Sequence, residues 1–436
     1  MARNKTYPLI TDFNNIPEEA LAPEEEQPYP LPEHWKWVIS GSVVEPMKTR
    51  KPAGKTFTYI DIESVNNKQQ VVEFPKTLAS NKAPSRASRA VHFGDTLFSL
   101  VRPYLRNIAF VTQNLADSIA STGFYVCTPV IAVHPKYLFH VLRSNSFVTR
   151  VVKYMKGDNS PSVKISDFKK IPFPLPPLEE QKQIVAYLDE KLGKIDSVRE
   201  KLQDFLDHAD RRKANLIQAG ITGHLTHQWR ELHGSAREDW ITKTVDELGA
   251  VVTGGTPSTK YPEFYGSDVP FIKPADLNAG RHVTSSATYL SLLGSEQARM
   301  LPPNTVAVCC IGATISKCGL IEVESATNQQ INALVPYEEN SPTYLYYLCA
   351  SPSFKQMVIN DSSSTTLPIL NKGRFSKLKV TVPSLDEQQE IARILDEQLA
   401  RIEAADSKVQ EALDQLNLVK EQLVSAALAG RFSNTK

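Results

Sequence analysis

Pro176-Pro177-Leu178-Glu179-Glu180-Gln181 and Pro383-Ser384-Leu385-Asp386-Glu387-Gln388 open two stretches of the chain that are one pattern written twice. The first continues through Ile184, Leu188, Ile195, Leu202 and Leu216 and closes on Gly220 and Gly223. The second continues through Ile391, Leu395, Ile402, Val409 and Leu423 and closes on Gly430. At a constant offset of 207, residues 176–225 and 383–432 align without a gap, and 18 of the 50 pairs are identical. The chain is therefore an internal duplication.

Each stretch reads as a long helix. In the first copy the a and d heptad positions run Gln181, Ile184, Leu188, Lys191, Ile195, Val198, Leu202, Phe205, Ala209, Arg212, Leu216 and Ala219, and nine of the twelve are apolar. A seam sustained over five heptads needs a partner helix. Each copy offers roughly 40 helical residues, about 60 Å at 1.5 Å per residue. The two copies share one polypeptide and have matched seams, so they are expected to bury Ile184, Leu188, Ile195, Leu202 and Leu216 against Ile391, Leu395, Ile402, Val409 and Leu423. Oligomerisation with other chains is the alternative use of such a seam. Ser384-Leu385-Asp386-Glu387 reads as a capping box at the start of the second helix.

The duplication extends upstream. Tyr137-Leu138 matches Tyr344-Leu345, Ser146-Phe147 matches Ser353-Phe354, and Phe168 matches Phe375, all at 207; Glu33-His34-Trp35 matches Glu238-Asp239-Trp240 at 205. Residues 40–130 and 245–340 barely resemble each other. Both are built of short β-like runs, such as Phe57–Ile62, Thr96–Val101 and Tyr125–Val133 in one and Val269–Lys273, Thr305–Ile311 and Gln330–Pro336 in the other. The expected organisation is a flexible acidic arm (1–30), a mixed domain (31–175), a spacer helix (176–225), a linker (226–237), a second mixed domain (238–382), a second spacer helix (383–432) and a short tail (433–436). The fold class is α+β: two mixed α/β domains separated by two long helices that pair as an antiparallel coiled coil, an internal repeat with a pseudo-two-fold axis. Two similar heads so related match the symmetry of duplex DNA, whose turn is about 34 Å.

Composition narrows the function. With 41% hydrophobic and 22% charged residues the chain is ordinary globular protein. It has no apolar run long enough to span a membrane and no apolar segment near Met1 that reads as a secretory signal, so a cytoplasmic protein without membrane contact is expected. Five cysteines in no metal-like spacing fit a reducing compartment and no zinc site. The net charge of +1 is unevenly spread: residues 40–170 carry 19 Lys and Arg against 8 Asp and Glu, and 236–375 carry 10 against 13. The first excess points to a polyanionic partner. A phosphate-loop motif, a Gly-x-Gly-x-x-Gly motif and an Asn-Pro-Pro-Tyr-like motif are all missing, so the chain is expected not to be an enzyme. A nuclease or methylase with its own active site is the rival that activity of the isolated chain would reveal.

The doubled Pro-x-Leu-x-Glu-Gln starts, with Leu97-Phe98-Ser99-Leu100-Val101-Arg102-Pro103-Tyr104 and Thr327-Asn328-Gln329-Gln330-Ile331-Asn332, resemble the specificity (S) subunits of type I restriction–modification enzymes over about 31–432. The resemblance implies that the two mixed domains are target recognition domains, each reading half of a bipartite gapped sequence in double-stranded DNA. It implies that the helices space them and dock two methyltransferase (M) subunits for adenine-N6 methylation. With up to two motor-nuclease (R) subunits the complex restricts DNA. No cofactor is expected on this chain: S-adenosylmethionine belongs to the M subunits, ATP and Mg to the R subunits. The acidic arm and the net acidic second domain depart from the pattern. A coiled-coil scaffold that binds only proteins is the alternative.

The DNA-binding candidates in the first domain are Lys48, Arg50, Lys51, Lys55, Lys82, Arg86, Arg89, Arg102, Tyr104 and Arg106. Lysine and arginine neutralise phosphates, and arginine pairs bidentately with guanine. Any one of them can equally be a solvated surface charge. In the second domain the candidates are Thr256, Lys260, Lys273, Asn278, Arg281, Thr314, Lys317, Asn328 and Gln329, with His282 nearby; their amides can read adenine, and each is as plausible as turn chemistry. His224 and His227 read as linker residues, not ligands.

Overall fold

A computed structural model describes residues 7–363 and 367–432; the 433–436 tail lies outside them. The chain forms two compact units, one of residues through Leu202 together with those from Ala412 onward, the other Gln203–Glu411. Each unit holds one mixed domain, the first part of the helix that follows it, and the last part of the other helix. The first spacer helix is Leu178–Asp207, broken at His208 and resumed as Ala209–Ile221; the second is unbroken over Leu385–Leu428.

Within each unit the helical segments run antiparallel. In the first unit Asp196 meets Lys420 at 2.8 Å and the Tyr187 ring lies 6.0 Å from Phe432. In the second, Arg212 meets Asp406 at 2.8 Å and Lys213 meets Glu403 at 3.2 Å. A Cβ on Gly220 would lie 2.9 Å from Leu395 Cδ1, so the glycine sets how closely the two helices approach. The burial of the expected seam residues differs from a simple coiled coil. Ile184 and Leu188 sink into the core of the first domain, and Ile391 and Leu395 into that of the second. Ile195, Leu202, Leu216, Ile402, Val409 and Leu423 are half-buried. Val198 is 47% exposed and Phe205 38%, because two helices cover only part of each other's apolar stripe.

The entrance to each helix is a latch built from the repeated Glu-Gln pair. Gln181 is fully buried; its Nε2 donates to the Ala132 and Pro176 carbonyls, and its Oε1 accepts from the His134 amide. Gln388 repeats this with Asn340, Pro383 and the Ser341 amide. The preceding glutamates accept an indole N–H, Trp35 to Glu180 at 3.0 Å and Trp240 to Glu387 at 3.0 Å. Glu387 also takes Arg230 at 2.6 Å and Thr226 at 2.7 Å. The capping box expected at Ser384 is thus half-formed: Ser384 accepts from the Glu387 amide, but the Glu387 carboxylate is committed to Arg230 and Trp240.

Each domain returns to where it starts. Lys36–Ile39 pairs antiparallel with Pro172–Leu175, and Ile241–Thr244 with Lys379–Val382, the strand just before the spacer helix. The interiors, so unlike in sequence, share a topology. In the first domain one sheet runs Lys76–Ala79, Thr56–Ile60, Ile119–Ser121, Ala87–Ala90, with only its central pair parallel. In the second the order is Tyr289–Leu290, Tyr265–Ile272, Ser325–Thr327, Met300–Leu301, again with only the central pair parallel. A second sheet in each (Phe124–Cys127, Thr96–Ser99, Ile108–Phe110; and Gly249–Thr253, Ile331–Pro336, Thr305–Cys309, Cys318–Ile321) backs onto two short helices. The helix expected over Tyr137–Arg150 is two, Pro135–Arg143 and Asn145–Lys153. Ser144 ends one and caps the other by accepting from the Phe147 amide, and Ser351 does the same for Phe354. Phe168 anchors the first core, edge-to-face with Phe98 and Tyr125 at 5.0 Å and with Phe147 at 5.3 Å.

Two expectations from sequence are corrected here. Residues 1–30 are expected from sequence to form a flexible arm; residues 1–6 lie outside the described residues, and in 7–30 Ile10 and Ala20 are fully buried in the first core and the Ala22 amide bonds the Trp37 carbonyl. The acidic residues there stay exposed while the few apolar ones pack. The 226–237 linker contains a helix, His227–His233, whose Arg230 is the buried partner of Glu387.

Candidate nucleic-acid interface

Seven of the ten candidates in the first domain flank its parallel-centred sheet, Lys48, Arg50, Lys51, Arg86 and Arg89 on or beside the edge strand Ala87–Ala90 and Lys55 and Lys82 beside the opposite edge strand Lys76–Ala79. The segment 48–50 runs along the edge strand Ala87–Ala90: the Arg50 amide bonds the Ser88 carbonyl, and the Ala90 amide bonds Lys48. Lys55 meets the turn after Lys76–Ala79 through the Ser80 amide, and that turn carries Lys82. Arg86 precedes the edge strand, and its carbonyl accepts from the Thr122 amide. Lys51, Lys55, Lys82 and Arg86 are exposed, with no ion pair among the described residues. Arg50 is tied to Asp117 at 3.0 Å and Lys48 loosely to Glu45 at 3.8 Å. Arg89 is half-buried, and its Nε has no hydrogen-bond partner. Such an edge offers unneutralised cations on backbone fixed by a sheet, as phosphate contacts require.

The corresponding edge of the second domain has amides where the first has lysines. Thr256 donates to Gln329, and the Gly255 amide bonds the Thr327 carbonyl. A Cβ on Gly254 would lie 2.2 Å from the Asn328 carbonyl oxygen, so only glycine lets these backbones meet. Lys260 is exposed nearby. Arg299 precedes the edge strand Met300–Leu301, as Arg86 precedes Ala87–Ala90, and donates to the Thr253 carbonyl at 2.6 Å. Sequence reading missed Arg299, which sits between Ala298 and Met300 with no basic neighbour. Only the sheet order brings it to this edge.

The remaining candidates lie elsewhere. Arg102 and Arg106 both adopt left-handed backbone, in a tight turn that exposes Tyr104. Arg102 donates to the Asn159 carbonyl, and Arg106 faces Glu421 at 3.9 Å on the second spacer helix. Arg281 binds Glu322 at 2.9 Å and Thr343 at 3.1 Å, and lies 3.5 Å from Asp396 of its spacer helix; it is a strut between domain and helix. His282 shares Glu322. Lys317 donates to Asn278, Lys273 to Thr288, and Thr314 lies 3.4 Å from the Cys309 sulfur. Asn328 is buried in a turn, accepting from the Gln330 amide. Burial raises the Cys310 and Cys318 thiols to about 12, so neither is a nucleophile at neutral pH. Among the described residues no His/Cys/Asp/Glu group could hold a metal, and no helix is long and apolar enough to cross a membrane.

Two domains of one topology on a shared pair of helices, each presenting an exposed polar or basic sheet edge, define a two-headed recognition protein. The family model for the type I restriction modification DNA specificity domain matches residues 44–204 and 237–413. The chain belongs to that family: it is a specificity subunit with two recognition domains, a DNA-recognition subunit and not a catalytic one. It is 27% identical over 364 residues to the specificity subunit of the type I restriction enzyme HindI of Haemophilus influenzae, covering 69% of this chain and 79% of that one. It is 23% identical over 286 residues to the EcoBI specificity subunit of Escherichia coli, covering 60% and 58%. The fold matches a chain from a structure on complex assembly and conformational transition of the type I R-M system (TM-score 0.75, 24% identity, 93% of this chain and all of that one). It also matches the HsdS subunit from Thermoanaerobacter tengcongensis (TM-score 0.62, 24% identity, the same coverage). Family membership sets aside the protein-only scaffold.

Proposed function

We propose that each sheet edge described above reads one half of a bipartite, gapped DNA target. Lys48, Arg50, Lys51, Arg86 and Arg89 on the Ala87–Ala90 edge, joined by Lys55 and Lys82 beside the opposite edge strand, serve one half-site. Thr256, Lys260, Gln329 and Arg299 serve the other. The observation that carries this reading is the topological equivalence of Arg86 and Arg299, each leading into the edge strand of its sheet in domains that share almost no sequence. The spacer helices dock two methyltransferase subunits, and up to two motor-nuclease subunits complete the restriction complex; S-adenosylmethionine and ATP enter with those partners. The exposed Val198, Leu418 and Val419 on the first unit's helices support docking there.

A double reversal, Arg86→Glu with Arg89→Glu, is expected to weaken specific binding at least ~100-fold, since a good arginine contact is worth ~1–3 kcal/mol. Co-purification with the methyltransferase partner is expected to stay unchanged. Loss of assembly with DNA binding intact would refute the assignment. Arg299→Glu is expected to relax the footprint over the other half-site alone. Affinity of the assembled complex is expected to fall by ~10³ or more between 50 and 200 mM salt, measured by fluorescence anisotropy. A flat salt dependence would exclude phosphate contacts as the main attachment.

A further inference from the structure

We propose that the first unit carries a binding site for a small organic phosphate of mononucleotide size, distinct from the DNA-facing sheet edge. The site is a cavity of about 370 Å³ enclosed by the turns at 66–70 and 102–106, the start of the helix Asn145–Lys153, and both spacer helices near Arg199 and Lys420. Its volume falls within the range of small-molecule pockets. Five cations line it, Lys68, Arg106, Arg143, Arg199 and Lys420, against the single carboxylate of Glu421. Lys420 is neutralised by Asp196 at 2.8 Å and Arg106 only loosely by Glu421 at 3.9 Å. Arg143 and Arg199 have no hydrogen-bonded carboxylate among the described residues; Arg143 lies over the Phe139 ring at 4.9 Å.

Such an arrangement is costly when empty. Burial lowers the Arg143 pKa; Asp196 and Asp189 oppose that shift and Arg106 adds to it. A buried guanidinium whose carboxylates, Asp196 and Asp189, are not hydrogen-bonded to it keeps N–H donors for an incoming phosphate, and planar guanidinium groups bind phosphate bidentately. The amides of Asn145 and Ser146 open a helix, have no intrahelical acceptor and border the same cavity, adding donors for anion oxygens. Tyr29, Val424 and Leu428 give the lining its apolar part. Concentrated negative charge plus an apolar body describes a nucleotide better than an acidic peptide, which spreads its charge along an extended chain.

The test is isothermal titration calorimetry on the full chain in complex with its methyltransferase partner, using pyrophosphate, AMP and ATP without magnesium. One site per chain is expected, with ATP tighter than pyrophosphate because of the apolar part of the lining. Arg143→Ala and Arg199→Ala are each expected to weaken it at least about tenfold, and Arg143→Lys less. Arg199 is on a helix surface, so Arg199→Ala is expected to keep DNA binding intact, which separates loss of the site from loss of the fold. Absence of saturable heat, or unchanged binding in Arg199→Ala, would overturn the proposal. So would stoichiometric displacement of ATP by target duplex, which would make the cavity part of the DNA path. Binding to the free chain that vanishes in the complex would also overturn it, since the partner would then fill the cavity.

Discussion

Glu387→Ala is expected to destabilise the 203–411 unit by about 3–5 kcal/mol, the cost of breaking a buried ion pair by removing one partner. The Glu387 side chain is 3% exposed and that of Arg230 is 8%. Removal of the carboxylate leaves the guanidinium with only the Gly223 carbonyl and the Thr226 hydroxyl, and orphans the Trp240 indole N–H. Glu387→Gln keeps an acceptor for Trp240 but not the charge, so an intermediate loss is expected. The equivalent change in the first copy, Glu180→Ala, is expected to cost only about 1–2 kcal/mol, as for ordinary hydrogen bonds. Its partners are Trp35 and a His34 side chain that is 60% exposed, so water replaces what is lost. Urea unfolding of the three variants measures the contrast. Equal midpoints for Glu180→Ala and Glu387→Ala would show that burial of the Arg230 pair does not govern attachment of the second domain to its helix.

Inserting four residues at His208 is expected to change the accepted gap between half-sites by about one to two base pairs and to leave both half-site sequences unchanged. Four helical residues add about 6 Å and 400° of rotation, so the apolar stripe returns to within about 40° of its old direction. A slip of one turn places like side chains in like grooves, because helix surfaces repeat along the i±4 rows. His208 is where the first spacer helix already departs from regular geometry, although its amide still bonds the Asp204 carbonyl and its carbonyl the Arg212 amide, so the added turn extends the helix at an existing irregularity. Methylome sequencing of a host carrying the variant reads the new motif directly. Altered half-site bases would mean that the helices do more than set spacing.

The helices were legible from sequence because their information is local. Apolar residues recur at helical spacing, and an ungapped offset of 207 ties Gln181 to Gln388 and Leu188 to Leu395 without knowledge of what they touch. The same signal missed their destination: Ile184, Leu188, Ile391 and Leu395 carry a coiled-coil pattern but pack into the domain cores, since heptad spacing marks a buried face and not the element that covers it. Segment 7–30 differs from the sequence expectation because its acidic and proline-rich composition hid a few apolar residues that dock on the strand Lys36–Ile39 and the turn after it.

By itself the sequence determined the duplication, the two-domain plan and the basic character of the first domain, because repeats, periodicity and charge are properties of neighbours along the chain. Only the tertiary structure decided that 40–130 and 245–340 share a sheet order, since strand pairing depends on contacts far apart in sequence that very different side chains can satisfy. It sorted the cations by place, leaving Arg86 free at an edge, turning Arg106 to Glu421 and Arg281 to Asp396, and bringing forward Arg299. A charge acquires its role from the groups around it, and those groups are assembled by the fold.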